Sequence, residues 1–189
     1  MMLTIQFDVD GVLADFTASF LHLAEVFYPE ARGVNPASQT DFGSCGPINL
    51  WDERCWTLLK QTPWWWTGLK PCVFGNEFER IAWMTRVANV YFVTNRMHGA
   101  ISPVAQTAVW LRQQGIPHPS VICTLHKAEF ARLVGTDYSL EDKWENADAI
   151  GEVIPYSYLL DRPYNQGECP PAFRVPTVAA FLDVVEKAL

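Results

Sequence analysis

Asp8 and Asp10 stand two residues apart, where the run Leu3-Thr4-Ile5-Gln6-Phe7 breaks into Gly11. On an extended chain, residues two apart share a side. Two carboxylates that close repel, and one takes up a proton unless a cation lies between them. Oxygen donors of this kind suit Mg²⁺. A bare Asp-x-Asp serves equally well as a solvated turn, so the pair alone leaves both readings open. Thr94 ends the short apolar run Val90-Tyr91-Phe92-Val93. A hydroxyl and backbone N–H groups at such a strand end can hold a phosphate oxygen, although a Thr there is more often a plain cap. Lys127 opens a helical pattern, at the end where the helix dipole disfavours a cation. That placement favours a functional reason for the lysine over a random surface position.

The elements that must position these residues alternate. Thr4 to Val9 reads as a strand. Phe16, Phe20, Leu23 and Phe27 then recur on one helical face, which Tyr28-Pro29 stops. Residues 29 to 50 are rich in Pro, Gly, Asn and Ser and read as irregular. Trp51 to Gln61 suits a short helix, and Pro63-Trp64-Trp65-Trp66-Thr67-Gly68 a bulky turn. From Gly75 the pattern is regular. Helices are expected from Phe78 to Thr85, Val104 to Gln114, Lys127 to Val134, Ala147 to Val153 and Thr177 to Leu189. Strands are expected at 90–94, 120–123, 137–140 and 156–160. Short apolar strands alternating with helices predict an α/β, Rossmann-like parallel sheet covered on both faces. Thr94 lies 84 residues beyond Asp10, whereas a strand-helix-strand unit needs about 30. The surplus, 16–73, reads as an insertion between the first strand and the rest, leaving 1–15 and 74–189 as the core domain.

The composition sets bounds on function. The chain has 189 residues, 49% of them hydrophobic, which excludes wholesale disorder. A formal net charge of -7 argues against a nucleic-acid polymer or an anionic membrane as the partner. A small anionic substrate stays open, because a bound cation reverses the field locally. The five cysteines, Cys45, Cys55, Cys72, Cys123 and Cys169, include no C-x-x-C pair. They form no zinc spacing with His22, His98, His118 or His126, and read as reduced thiols of a cytoplasmic protein. The N-terminus lacks the basic region of a signal peptide, and no apolar run reaches the roughly 18 residues of a membrane span. Of the eight tryptophans, Trp51, Trp56, Trp64, Trp65 and Trp66 fall within 51–66. They either pack the inserted segment or form a ligand wall.

Phe7-Asp8-Val9-Asp10-Gly11-Val12-Leu13-Ala14-Asp15-Phe16 resembles the first motif of the haloacid dehalogenase (HAD) superfamily of phosphohydrolases. The form is similar to that of 5'(3')-deoxyribonucleotidases and related phage and bacterial proteins. Val93-Thr94-Asn95-Arg96 resembles the second motif and His126-Lys127-Ala128-Glu129 the third. Tyr138-Ser139-Leu140-Glu141-Asp142-Lys143-Trp144-Glu145-Asn146 resembles the fourth, with Glu-Asp in place of the usual Asp-Asp. In a rival assignment Lys143 is the third-motif lysine and Asp161 the fourth-motif acid. The first is preferred because the relatives also carry a later strand running into a segment like Leu160-Asp161-Arg162-Pro163-Tyr164-Asn165.

The resemblance implies a phosphomonoester hydrolase with Asp8 as nucleophile and Asp10 as general acid and base. It implies Mg²⁺ held by Asp8, the Asp10 carbonyl and Asp142, with Glu141 nearby, and phosphate oxygens steadied by Thr94, Asn95 and Lys127. It makes 16–73 a small, mainly helical cap, with Phe16 at the spacing of an aromatic that stacks on a base. Trp64, Trp65 and Trp66 are further candidates for a substrate wall, and Arg96 and His98 for the phosphate end. Each of these also has a plainer reading, as cap core or solvated loop. The implied substrate is small and phosphorylated, a nucleoside monophosphate first. The alternatives are another phosphorylated metabolite or a catalytically silent binding or regulatory protein on the same fold. Oligomeric state stays open.

Overall fold

The computed structural model of the chain describes residues 2–166 and 173–189. Cys169 lies outside the described residues. β1 (Thr4–Phe7) is buried along its whole length and forms the middle of a six-stranded sheet.

Beyond β1 the chain makes a tight turn into β2 (Ala14–Asp15). Asp15 caps α1 (Phe16–Ala24) by accepting from the Ala18 N–H at 2.9 Å. The helix ends three residues before the expected Phe27, and Phe27 is partly exposed. The residue before a proline is pushed out of the helical region, so the chain tightens ahead of Pro29, with the Phe27 and Tyr28 N–H groups both reaching the Ala24 carbonyl. The stretch expected to be irregular holds two single 3₁₀ turns, at 29–31 and 36–38, and a hairpin of β3 (Ser44–Cys45) and β4 (Ile48–Asn49). α2 (Glu53–Gln61) follows, capped by Asp52. β5 (Lys70–Pro71) then pairs antiparallel with β2, so the segment leaves and returns through one short two-stranded stem.

The regular part continues with α3 (Glu77–Val87), β6 (Asn89–Thr94), α4 (Pro103–Gln113), β7 (Ser120–Cys123), α5 (Lys127–Val134) and β8 (Tyr138–Glu141). α6 (Trp144–Gly151), β9 (Tyr156–Leu160), β10 (Phe173–Val175) and α7 (Val178–Glu186) complete it. The sheet order is β10-β9-β8-β1-β6-β7 and every pair in it is parallel. This is the α/β, Rossmann-like architecture that the alternation predicts.

α3, α4 and α7 share one core with Phe7 and Phe92, and Phe181 of α7 meets the Phe7 ring edge-on at 5.4 Å. Val178, Phe181, Leu182 and Val185 are buried, the inward face expected for the last helix. α5 and α6 pack on each other over the opposite face. β10, three residues at the sheet edge, has no counterpart in the sequence reading; so short a strand carries no readable period.

The chain steps from β1 to β6 and β7 on one side, then from β8 to β10 on the other. The order therefore reverses at β1. Ligands of open α/β sheets bind at such a switch point, beyond the carboxyl ends of the strands. Asp8, Thr94 and Glu141 all stand at those ends.

Candidate active site

Asp8 continues the β1 ladder by donating its N–H to the Leu140 carbonyl at 2.9 Å. Its Oδ1 accepts from the Val9 N–H at 2.7 Å and lies 2.8 Å from Lys127 Nζ. Lys127 is the first residue of α5 and is buried. The same ammonium donates to both Glu141 oxygens at 3.0 Å. Asn146, one turn into α6, donates to Glu141 Oε2 at 3.3 Å. Asp8, Glu141 and Asp142 each bring one carboxylate oxygen within 4.8 Å of the others, and all three are buried.

Three buried carboxylates face one ammonium. Burial opposes charge on Lys127, but Asp8 and Glu141 outweigh it and the net shift is upward. Burial lifts Glu141 well above the usual carboxylate range, with Lys127 partly offsetting. Burial, then the charge of Asp8, pushes Asp142 up to about 7. Uncompensated buried charge is costly. A compact set of hard oxygen donors, three carboxylates to one ammonium, fits Mg²⁺.

The loop around Asp142 is tied from two directions. Tyr164 donates its hydroxyl to Asp142 Oδ2. Asn165 Nδ2 donates to the Asp142 carbonyl at 2.6 Å and to the Leu160 carbonyl at 2.8 Å. Arg162 Nε donates to the Gly11 carbonyl at 2.7 Å. Phe42, from the inserted segment, meets the Tyr164 ring edge-on at 5.2 Å, and Lys143 Nζ lies 5.0 Å from the Phe42 ring. Neither partner in the rival assignment joins the cluster: Lys143 faces Phe42, and Asp161 pairs with Arg174 at 2.6 Å.

Asp10 does not share a cation site with Asp8 through its side chain. The carboxylate cluster joins Asp8 to Glu141 and Asp142, while the Asp10 carboxylate is taken by Arg96 and Thr94. Arg96 grips Asp10 with a fork, Nε to Oδ2 at 2.9 Å and Nη2 to Oδ1 at 2.7 Å. The Thr94 hydroxyl donates to Asp10 Oδ2 at 3.2 Å. Asn95 is exposed beside Thr94.

The aromatic candidates separate. Phe16 packs within the inserted segment, 5.8 Å from Trp56 and 6.1 Å from Trp66 with rings near parallel. Trp65 meets Trp66 edge-on at 4.7 Å. Trp66 is buried; its indole N–H donates to the His98 carbonyl at 3.1 Å, and its ring lies 4.6 Å from the Arg96 guanidinium. Trp64 has φ 61° and is about half exposed. Together with Trp65, Ser19, His22 and Lys70 it lines an open groove of about 590 Å³, bounded by residues 18–36 and 64–70 and apart from the carboxylates.

Sequence reasoning missed the bonds of Tyr164 and Asn165 to Asp142 and of Arg162 to Gly11, although these residues fall in a segment it had marked. Phe42 and Thr107, which accepts from Arg96 Nη1 at 2.8 Å, carry no local signal.

No protein-family model and no curated protein sequence matches the chain. Solved structures do match in fold. A HAD family hydrolase from Deinococcus radiodurans with bound phosphate and sodium superposes with TM-score 0.63 at 16% identity, covering 99% of this chain and 96% of that one. An L-2-haloacid dehalogenase from Xanthobacter autotrophicus gives 0.62 at 11% identity over all of both chains. A D,D-heptose bisphosphate phosphatase from B. bronchiseptica, complexed with magnesium and phosphate, gives 0.57 at 13%, again over both chains. The chain therefore has the HAD fold. Among the described residues, no helix is long and apolar enough to cross a membrane.

Proposed function

We propose that the chain is a Mg²⁺-dependent phosphomonoester hydrolase acting through an aspartyl-phosphate, with residues 16–73 as its cap. The observation that carries this is the buried Asp8–Glu141–Asp142 cluster with Lys127 at its centre. Such a cluster calls for a cation, and with it can receive a phosphoryl group. Asp8 and Asp142 would hold Mg²⁺, with the Asp10 carbonyl and Glu141 alongside. A divalent cation there neutralises carboxylates and phosphate alike.

An Asp8 carboxylate oxygen attacks phosphorus in line. The ester P–O bond breaks, its electron pair stays on the leaving oxygen, and Asp10 supplies the proton. Water then attacks the phospho-aspartate, giving its proton to Asp10. The Asp8–phosphorus bond breaks, releasing phosphate and restoring the carboxylate. Lys127, Thr94, Asn95 and nearby backbone N–H groups steady the oxygens that carry charge in the transition state.

The nucleotide part of the reading rests on the aromatic character of the cap, since the half-buried rings of Trp65 and Phe16 suit a planar base. Stacking on such rings is worth roughly 1–3 kcal/mol per base.

The experiment is hydrolysis with Mg²⁺ of an aryl phosphate, a panel of deoxy- and ribonucleoside monophosphates, sugar phosphates and a 2-haloacid. Phosphate release by the wild type and none by Asp8→Asn is the expected outcome. Full activity in Asp8→Asn removes the nucleophile. Halide release without phosphate release removes phosphoryl transfer. A clear preference for sugar phosphates removes the nucleotide.

A further inference from the structure

Arg96 has the chemistry of a phosphate ligand, but its guanidinium is already committed. Nε and Nη2 hold the two oxygens of Asp10, Nη1 holds the Thr107 hydroxyl, and the indole of Trp66 lies 4.6 Å from the guanidinium carbon. The side chain is 1% exposed while that of Asp10 is 26% exposed. Substrate can reach Asp10, but could reach Arg96 only by breaking this packing. We infer that Arg96 is a positioning residue: it fixes the plane of the Asp10 carboxylate for proton transfer to the leaving oxygen and does not bind the substrate phosphate. The inference rests on the phosphatase reading above.

The geometry supplies each constraint. A planar fork on a carboxylate fixes both its distance and its plane, which a point charge does not. Thr107, on α4, fixes the guanidinium along its own plane, and Trp66 fixes it across that plane. Trp66 is itself pinned to the core, by its N–H to Gln106 Oε1 at 3.1 Å and by its indole to the His98 carbonyl. The chain of contacts therefore runs from the inserted segment through Arg96 to Asp10. Asp10 sits on the loop next to Gly11, where nothing else described takes both of its oxygens.

The consequence falls on one bond. An ester oxygen that leaves as an alkoxide needs its proton as the P–O bond breaks; a nitrophenolate leaves without one. The test is kcat/KM, which reports steps through ester cleavage, for an alkyl phosphate and for p-nitrophenyl phosphate with Mg²⁺. It is run on the wild type, Arg96→Ala and Arg96→Lys, with circular dichroism to show that each is folded. General acid–base catalysis is worth about 10²–10⁴-fold. Arg96→Ala should lose about 10²-fold on the alkyl ester and under about 10-fold on the aryl ester. Arg96→Lys, which keeps the charge and loses the fork, should show the same tilt and serves alone if Arg96→Ala does not fold.

Equal losses on both esters make Arg96 a phosphate ligand or a purely structural residue, and overturn the inference while leaving the phosphatase intact. Full recovery of the alkyl ester by Arg96→Lys also overturns it. A wild type inert on both esters overturns the phosphatase reading itself.

Discussion

Gly11 shows how little room the site leaves. At φ +76° it occupies the left-handed region, and a Cβ there would lie 1.9 Å from Asp142 Oδ2 and 2.6 Å from the Tyr164 hydroxyl. Those two atoms are bonded to each other, and Asn165 holds the Asp142 carbonyl, so they cannot yield freely. Gly11→Ala should lose about 1–2 kcal/mol from the backbone alone, more from the clash, and should weaken Mg²⁺ by displacing Asp142. Urea unfolding with and without Mg²⁺ measures both; unchanged stability would refute the close approach. Lys127 is the other tight position. It is the one ammonium between Asp8 and Glu141, both buried. Removing one partner of a buried pair costs about 3–5 kcal/mol. Lys127→Met should be destabilised by about that much without metal, and Mg²⁺ should restore more stability to it than to the wild type.

At the scale of elements, the inserted segment is held by rings. Phe20 is fully buried in α1, 5.5 Å from Phe16 and 5.9 Å from Trp56. Phe20→Ala should cost about 3–5 kcal/mol, and because Trp66 joins that cluster and the Arg96 contact, activity should fall with stability. Denaturation and phosphatase assays on one preparation test that; full activity with a large stability loss would uncouple the cluster from the site. Much of this layer was readable in the sequence. The parallel sheet follows from apolar runs alternating with helical patterns, and Asp8, Thr94 and Glu141 were placed because they end such runs. What escaped has no period to read. β10 is three residues long, and the Arg162–Gly11 and Arg96–Asp10 bonds join residues 151 and 86 apart. Five clustered tryptophans announced an aromatic centre, but only the fold shows Trp66 buried against Arg96 and Trp64 half exposed on a groove apart from the acids.

The whole molecule carries a formal charge of -7, and part of that excess is concentrated at the switch point of the sheet. This gives the metal-free protein a characteristic response to pH. Burial lifts Asp142 from 3.8 to about 7, and lifts Glu141 as well. Between those values the folded chain binds more protons than the unfolded one. The stability these groups contribute is complete in acid, below the unfolded value, and is lost as pH rises through about 7. Asp41 and Asp52 shift the other way, held low by hydrogen bonds from Ser44 and Tyr28 respectively, so their contribution is lost only in stronger acid. A cation replaces the protons, so its binding releases them and tightens as pH rises. The Tm of the EDTA-treated protein should therefore fall from pH 5 to pH 8, and Mg²⁺ should raise Tm more at pH 8 than at pH 5. Asp142→Asn should flatten the metal-free slope and shrink the Mg²⁺ effect together. Thermal scans at the two pH values decide the matter. A metal-free Tm that rises toward pH 8, or a Mg²⁺ increment equal at both, would mean that the three carboxylates do not share a cation.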